Sequence, residues 1–199
     1  MGNRSAGNAS PSSASSEFED LLFEARNGNE RAFTMIWKNL NPRLTRYVAT
    51  QSYGSGIDYE DVVSETWISV AKDISKFKGE YSNFKSWLYS IARNRIVDAV
   101  RKNGRQIKSY GEPSEMQIVD LKTSVLGEIE SDEGLKSIIQ AIQTLPPAQA
   151  EAIMLRIVAE LEINEVAKIL DKSEGTVRVA CHRGLETLRN KLKEDQSGR

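Results

Sequence analysis

Apolar residues recur at steps of three and four along most of the chain after residue 16, the spacing that predicts amphipathic helices. Phe18, Leu21, Leu22 and Ala25 predict a first helix, opened by a capping box of Ser16 and Glu19 and stopped at Asn27 and Gly28. Asn29 caps the next, whose stripe of Phe33, Ile36, Trp37, Leu40, Leu44, Tyr47 and Val48 runs towards Tyr53, with Pro42 dividing it into two pieces. After a turn at Gly54 to Gly56, Asp58 opens a third helix. Its Val62, Val63, Thr66, Trp67, Val70 and Ile74 point to a core, and Asp61, Ser64, Glu65, Ile68 and Lys72 point away. Asn83 starts a fourth, with Phe84, Trp87, Leu88, Ile91, Ala92, Val97 and Val100 inward.

The stretch from Leu145 to Leu192 reads as a helix-turn-helix. Ile163, Val166, Ala167 and Leu170 give a short helix one apolar face, Asp171 and Lys172 break the pattern, and Ser173 caps a longer helix. In that second helix Val177, Cys181, Leu185, Leu188 and Leu192 form the inward stripe, which turns Glu174, Arg178, Val179, His182 and Arg183 outward. Such a face fits a DNA major groove, with Ser173, Thr176 and the first amides of the helix available to a phosphate. The stripes alone also suit any helical hairpin packed on a core.

Charge changes this picture more than composition does. The net charge of −1 is low for a protein that must neutralise phosphates unaided. The average hides a segregation. From 71 to 110 basic residues dominate, and from 111 to 133 Glu112, Glu115, Asp120, Glu128, Glu130, Asp132 and Glu133 face only Lys122. A basic helical region is therefore followed by an acidic connector, as expected of a protein whose parts meet different surfaces. On the fourth helix Asn94, Asp98 and Arg101 share one face with Arg93 beside them, next to a loop bearing Phe77. Amides, positive charge and an aromatic ring suit unstacked single-stranded DNA.

Other chemistry finds little support. Cys181 and His182 are the only cysteine and histidine, so an internal disulfide is impossible and a structural zinc site lacks ligands. Asp58, Asp61 and Glu65 could in principle hold a metal, but acidic residues at a helix start have a simpler explanation in the helix dipole. The expectation is no metal and no cofactor. No apolar run approaches the roughly twenty residues that span a bilayer, and no signal peptide is evident, so a cytoplasmic location without stable membrane insertion is expected.

Two stretches resemble a known family. DYEDVVSETWISVAKDISKFKG followed by FKSWLYSIARNRIVDAVRK is similar to the N-terminal domain of bacterial RNA polymerase sigma factors of the extracytoplasmic-function group, within the sigma-70 superfamily. LPPAQAEAIMLR with EINEVAKILDKSEGTVRVACHRGLETLR resembles their promoter-binding C-terminal domain. Ser64 stands where the family commonly has Gln, and Trp67 where it has Phe. The resemblance implies a non-enzymatic partner of core RNA polymerase that directs it to promoter DNA, duplex and single-stranded. Asp61, Ser64, Glu65 and Ile68 would dock on the polymerase clamp helices. Asn94 and Asp98, with Arg93 and Arg101 beside them, would read the −10 element, and the loop Phe77 to Asn83, including Lys78 and Ser82, would hold a flipped base. Ser173, Glu174, Thr176, Arg178, Val179, His182 and Arg183 would face the −35 element. Small members of this group are commonly held inactive by an anti-sigma factor.

Together the patterns predict an all-α chain of two small domains joined by a flexible acidic linker: a disordered tail at 1–16, an N-terminal domain at 17–104, a linker at 105–131 and a C-terminal helix-turn-helix domain at 132–195. The linker either enters the basic channel that later holds nascent RNA or is a solvated tether. Two other functions compete with the sigma reading. A stand-alone helix-turn-helix regulator would bind an inverted repeat as a dimer, and a metal-dependent enzyme on Asp58, Asp61 and Glu65 would need a second carboxylate cluster.

Overall fold

The computed structural model describes residues 11–109 and 139–197, with side chains at 16–103 and 139–191, and among these all regular structure is helical. The N-terminal domain comprises α1 (Pro11–Arg26), α2 (Glu30–Ser52), α3 (Tyr59–Asp73) with a 3-10 turn at Ile74–Lys76, and α4 (Tyr81–Ser109). In the C-terminal domain residues 139–143 are helical. Then come α5 (Pro147–Ile153), a π-helical turn (Met154–Val158), α6 (Ile163–Leu170) and α7 (Glu174–Ser197). Residues 1–10 and the acidic connector at 111–133 lie outside the described residues.

Local chemistry accounts for most of the boundaries. Asn29 accepts from the backbone N–H groups of Arg31 and Ala32, and Asp58 from those of Glu60 and Asp61, so both cap the helices expected of them. The first helix differs from expectation. It begins at Pro11, which places Ser16 inside it and removes the capping box. The Glu19 carboxylate instead accepts from the backbone N–H of Tyr81 at 2.7 Å, serving the start of α4.

Pro42 does not divide α2, which runs unbroken from Glu30 to Ser52. Leu40, Leu44 and Tyr47, on either side of it, are 0–1% exposed. Burying each large side chain contributes about 1.5–3 kcal/mol, which outweighs the roughly 3 kcal/mol that an interior proline costs. Trp37 is 39% exposed, because the inward line of Ile36, Leu40, Leu44 and Tyr47 leaves it a further step round the helix. On α4 the buried line is Phe84, Leu88, Tyr89, Ala92 and Ile96. Val97 is half-buried and Val100 exposed, since α4 extends beyond the helices it packs against, past the domain end expected at residue 104.

The C-terminal core contains Ile142, Ile153, Met154, Leu155, Leu161 and Val166, with Val177, Cys181 and Leu188 from α7. Leu185 does not join them and is 46% exposed. Gly184 takes the inward position, where an added Cβ would lie 2.4 Å from Ile153 Cδ1. The absence of a side chain lets α7 lie close over α5, and that rotation turns Leu185 out. The side chain of Leu192 lies outside the described residues. The two domains also touch each other: α4 packs against α6, and α2 against the π-helical turn.

Candidate nucleic-acid interface

The helix-turn-helix is built from α6 and α7. The α6 chain closes on Asp171, which adopts the left-handed conformation at φ 52°, and Lys172 donates its N–H to the Ala167 carbonyl. Three residues later α7 is under way. Ser173 Oγ accepts from the Thr176 N–H at 3.2 Å and lies 2.9 Å from the Thr176 hydroxyl, so it caps α7 as its sequence position suggested. Ser173, Glu174, Thr176, Arg178, Val179, His182 and Arg183 are all exposed along one side of the domain. Within this face Arg178 donates to Glu174 at 2.8 Å, one turn apart, which directs its guanidinium along the helix.

The second candidate surface lies on α4 and the loop before it. Phe77 stacks on Trp87 with ring centroids 5.0 Å apart and meets Phe84 edge-on at 5.6 Å. Gly79 sits at φ 151°, and a Cβ there would come within 3.0 Å of Asn83 Cβ and 3.2 Å of Phe77 Cζ. Only glycine fits this turn. Asn83 does not start the helix; it lies inside the first turn, and its side-chain oxygen accepts from the Glu80 N–H at 3.2 Å. Lys78 is exposed on the loop, Ser82 and Asn83 on the first turn of α4, and Asn94 further along that helix. Asp98 and Arg101 form an exposed ion pair at 3.8 Å.

The third surface is the outer side of α3, where Asp61, Ser64, Glu65 and Ile68 are all exposed, Ile68 by 52%. Glu65 pairs with Arg95 at 3.3 Å, and Asp58 is occupied as a cap. Among the described residues no three acidic, histidine or cysteine side chains gather as a metal site.

Arg93 does not share the open surface of Asn94. Its Nε donates to Glu151 on α5 at 2.9 Å, the centre of a polar seam between the domains. Arg43 pairs with the Glu160 carboxylate, Lys85 donates to the Glu160 carbonyl at 3.1 Å, and the Ser86 hydroxyl donates to Glu165 at 2.8 Å. Tyr47 donates to Glu151 at 3.3 Å; burial, and secondarily the Glu151 charge, hold its hydroxyl well above the ordinary pKa. Glu160 adopts a left-handed φ of 54°, a conformation that costs a non-glycine residue about 1–2 kcal/mol. None of these cross-domain partners is visible in the sequence, because helical periodicity carries no information about pairs so far apart. Gly184 was detectable, as a residue at core spacing between Cys181 and Leu188.

An exposed polar face on α7 in one domain, and a basic, amide-bearing helix with an aromatic-backed loop in the other, form the arrangement expected of a two-domain nucleic-acid-binding protein whose described residues are helical. Residues 38–106 match the family model of sigma-70 region 2, and residues 135–188 that of sigma-70 region 4. The chain is 26% identical over 186 residues to the extracytoplasmic-function (ECF) RNA polymerase sigma factor BldN of Streptomyces coelicolor, covering 92% of this chain and 69% of that protein. It is 29% identical to the ECF RNA polymerase sigma-E factor of Haemophilus influenzae, covering 86% and 93% respectively. The fold is similar to that of the sigma factor RpoE in its complex with the anti-sigma factor NepR from Bartonella quintana, with a TM-score of 0.61, 23% identity, and 81% and 96% of the two chains covered. This chain belongs to the sigma-70 family, in its extracytoplasmic-function group.

Proposed function

We propose that this chain binds core RNA polymerase and directs it to promoters, its C-terminal domain reading the −35 element as duplex and its N-terminal domain capturing −10 bases as they unstack. The observation that carries the reading is the match of the chain's two domains to regions 2 and 4 in that order, each presenting a different exposed polar surface. The exposed side of α7 can enter a major groove, where Arg178, His182 and Arg183 reach base edges or phosphates. Asn94 and Asp98 offer hydrogen bonds to base edges that only an open strand presents, with Arg101 beside them. The loop at Phe77 to Asn83 receives an extruded base, whose flipping costs a few kcal/mol and must be offset by contacts made after melting.

The outer side of α3, with Asp61, Ser64, Glu65 and Ile68, is the docking surface for polymerase. The polymerase then fixes the spacing of the two readers, which raises the effective concentration of the second once the first is seated. Arg93 must leave Glu151 before it can join the −10 surface, so the domains separate on the way to the promoter complex. The chain performs no bond chemistry of its own and works in the cytoplasm, where the polymerase is. An anti-sigma factor is its expected inhibitor.

Run-off transcription with bacterial core polymerase on a randomised promoter library tests this directly. Chain-dependent transcripts sharing two spaced elements are expected. A dimer that binds an inverted repeat and neither binds polymerase nor yields transcripts would instead make the chain a stand-alone regulator.

A further inference from the structure

We propose that α1 shapes the melting loop: Phe18 and Glu19 are positioning residues that hold Tyr81, and through it the loop from Phe77 to Asn83, in the form that receives an unstacked base. This rests on the reading of that loop given above.

The loop is anchored at both ends. At one end Phe77 lies on Trp87 and against Phe84. At the other end Tyr81 is gripped from three sides. Glu19 Oε1 accepts from its backbone N–H at 2.7 Å, the Phe18 ring stacks on it at 4.6 Å with the planes 11° apart, and Asn39 Oδ1 accepts from its hydroxyl at 3.3 Å. Between the anchors Lys78, Gly79 and Glu80 are exposed, and Ser82 and Asn83 are exposed just after Tyr81. The interior of the turn is full, since a Cβ on Gly79 would strike both Asn83 and Phe77.

The Tyr81 N–H is one of the donors that a helix start leaves without a backbone partner. A carboxylate is the strongest acceptor available to it, both as a charge-assisted bond and through the helix dipole. Glu19 supplies that carboxylate from a different helix, so the start of α4 is fixed relative to α1 and not merely capped. The segment matching region 2 begins at residue 38, after α1, so this support comes from a part of the chain that neither family match covers. Losing it would leave Tyr81 held only by its hydroxyl on Asn39 and its ring against Phe84, so the loop could approach DNA but would be loose where the base must be caught.

The test uses holoenzyme assembled with core polymerase on a promoter recovered from the transcription library, supplied either as duplex or with the −10 element already mismatched open. Opening is followed by a fluorescent base analogue. Glu19→Ala is expected to slow opening of the duplex about tenfold, the scale of a lost charged hydrogen bond. It should change binding to the pre-opened template less than about twofold. Glu19→Gln keeps a carbonyl acceptor and should recover most of the rate; Phe18→Leu should share the loss. Equal losses on both templates, or a Glu19→Gln no better than Glu19→Ala, would overturn the proposal. Asn83→Ala, within the loop, is the control. If it too fails to distinguish the templates, the reading of the loop falls, and this proposal with it.

Discussion

Arg93 and Glu151 meet across the two domains at 2.9 Å, with their side chains only 29% and 20% exposed. A pair this sheltered is screened less than a surface pair, and breaking it costs about 1–2 kcal/mol, between the surface and buried extremes. Glu151→Lys is therefore expected to separate the domains, and Glu151→Lys combined with Arg93→Glu to bring them back. Energy transfer between dyes on α3 and α7 measures this. No change in distance for the single variant would mean that the remaining seam contacts, Arg43–Glu160 and Ser86–Glu165 among them, hold the domains together without this pair.

Arg178 lies on the exposed side of α7, directed by Glu174. If it reads a base, Arg178→Ala should weaken −35 binding by about 1–3 kcal/mol and relax preference at one position. Binding measured across all single-base variants of the element separates the possibilities. Uniform weakening would mark a phosphate contact, and no weakening would remove Arg178 from the reading face.

Gly184 sits where α7 crosses α5, with Ile153 Cδ1 in the space a Cβ would take. Gly184→Ala gains about 1 kcal/mol of helix propensity but overfills a packed core, which typically costs about 1–3 kcal/mol. The expected net effect is a modest destabilisation. Adding Ile153→Val removes the colliding methyl, so the double variant should recover most of the loss in a denaturant titration. Strict additivity of the two changes would show that the contact is not limiting.

Tyr89 is fully buried, its hydroxyl without a hydrogen-bond partner among the described residues, and burial raises its pKa. The same direction holds for Tyr47 and Tyr81. Each group keeps its proton in the folded state after the unfolded chain has lost it, so the stability it contributes is present below about pH 10 and falls as pH rises above that. Tyr89→Phe should stabilise the protein by roughly 1 kcal/mol at neutral pH, by removing an unsatisfied polar group. It should also flatten the loss above pH 10. Urea titrations from pH 7 to 11 test both, and a Tyr89→Phe variant that is destabilised would imply a bonded hydroxyl.

What the sequence disclosed was whatever a single helix decides for itself. Asn29, Asp58 and Ser173 cap their helices because a short polar side chain reaches amides two or three residues on. The α3 stripe held throughout, since that helix is covered evenly along its length, with Val62, Val63, Thr66, Trp67, Val70 and Ile74 all buried. Errors arose where a neighbour set the rotation or the reach. Leu185 yields its place to Gly184 because α5 approaches closely, Val100 is uncovered because α4 outruns its domain, and Glu19 serves a helix 62 positions away. The three candidate surfaces, on α7, on α4 with its preceding loop and on α3, were legible as patterns of exposure. The engagement of Arg93 with Glu151 was not, because it depends on how two domains dock.

That docking sets Arg43 on α2 and Arg93 on α4 against carboxylates on the segment before α6 and on α5, with Lys85 of α4 donating to a backbone carbonyl beside them. Added salt therefore acts on the free chain in two opposing ways. It weakens the seam and releases the basic side of α4, and it weakens every phosphate contact that the released side could make. Promoter affinity of the unassisted chain should accordingly pass through a maximum at intermediate ionic strength, where most DNA-binding proteins show only a decline.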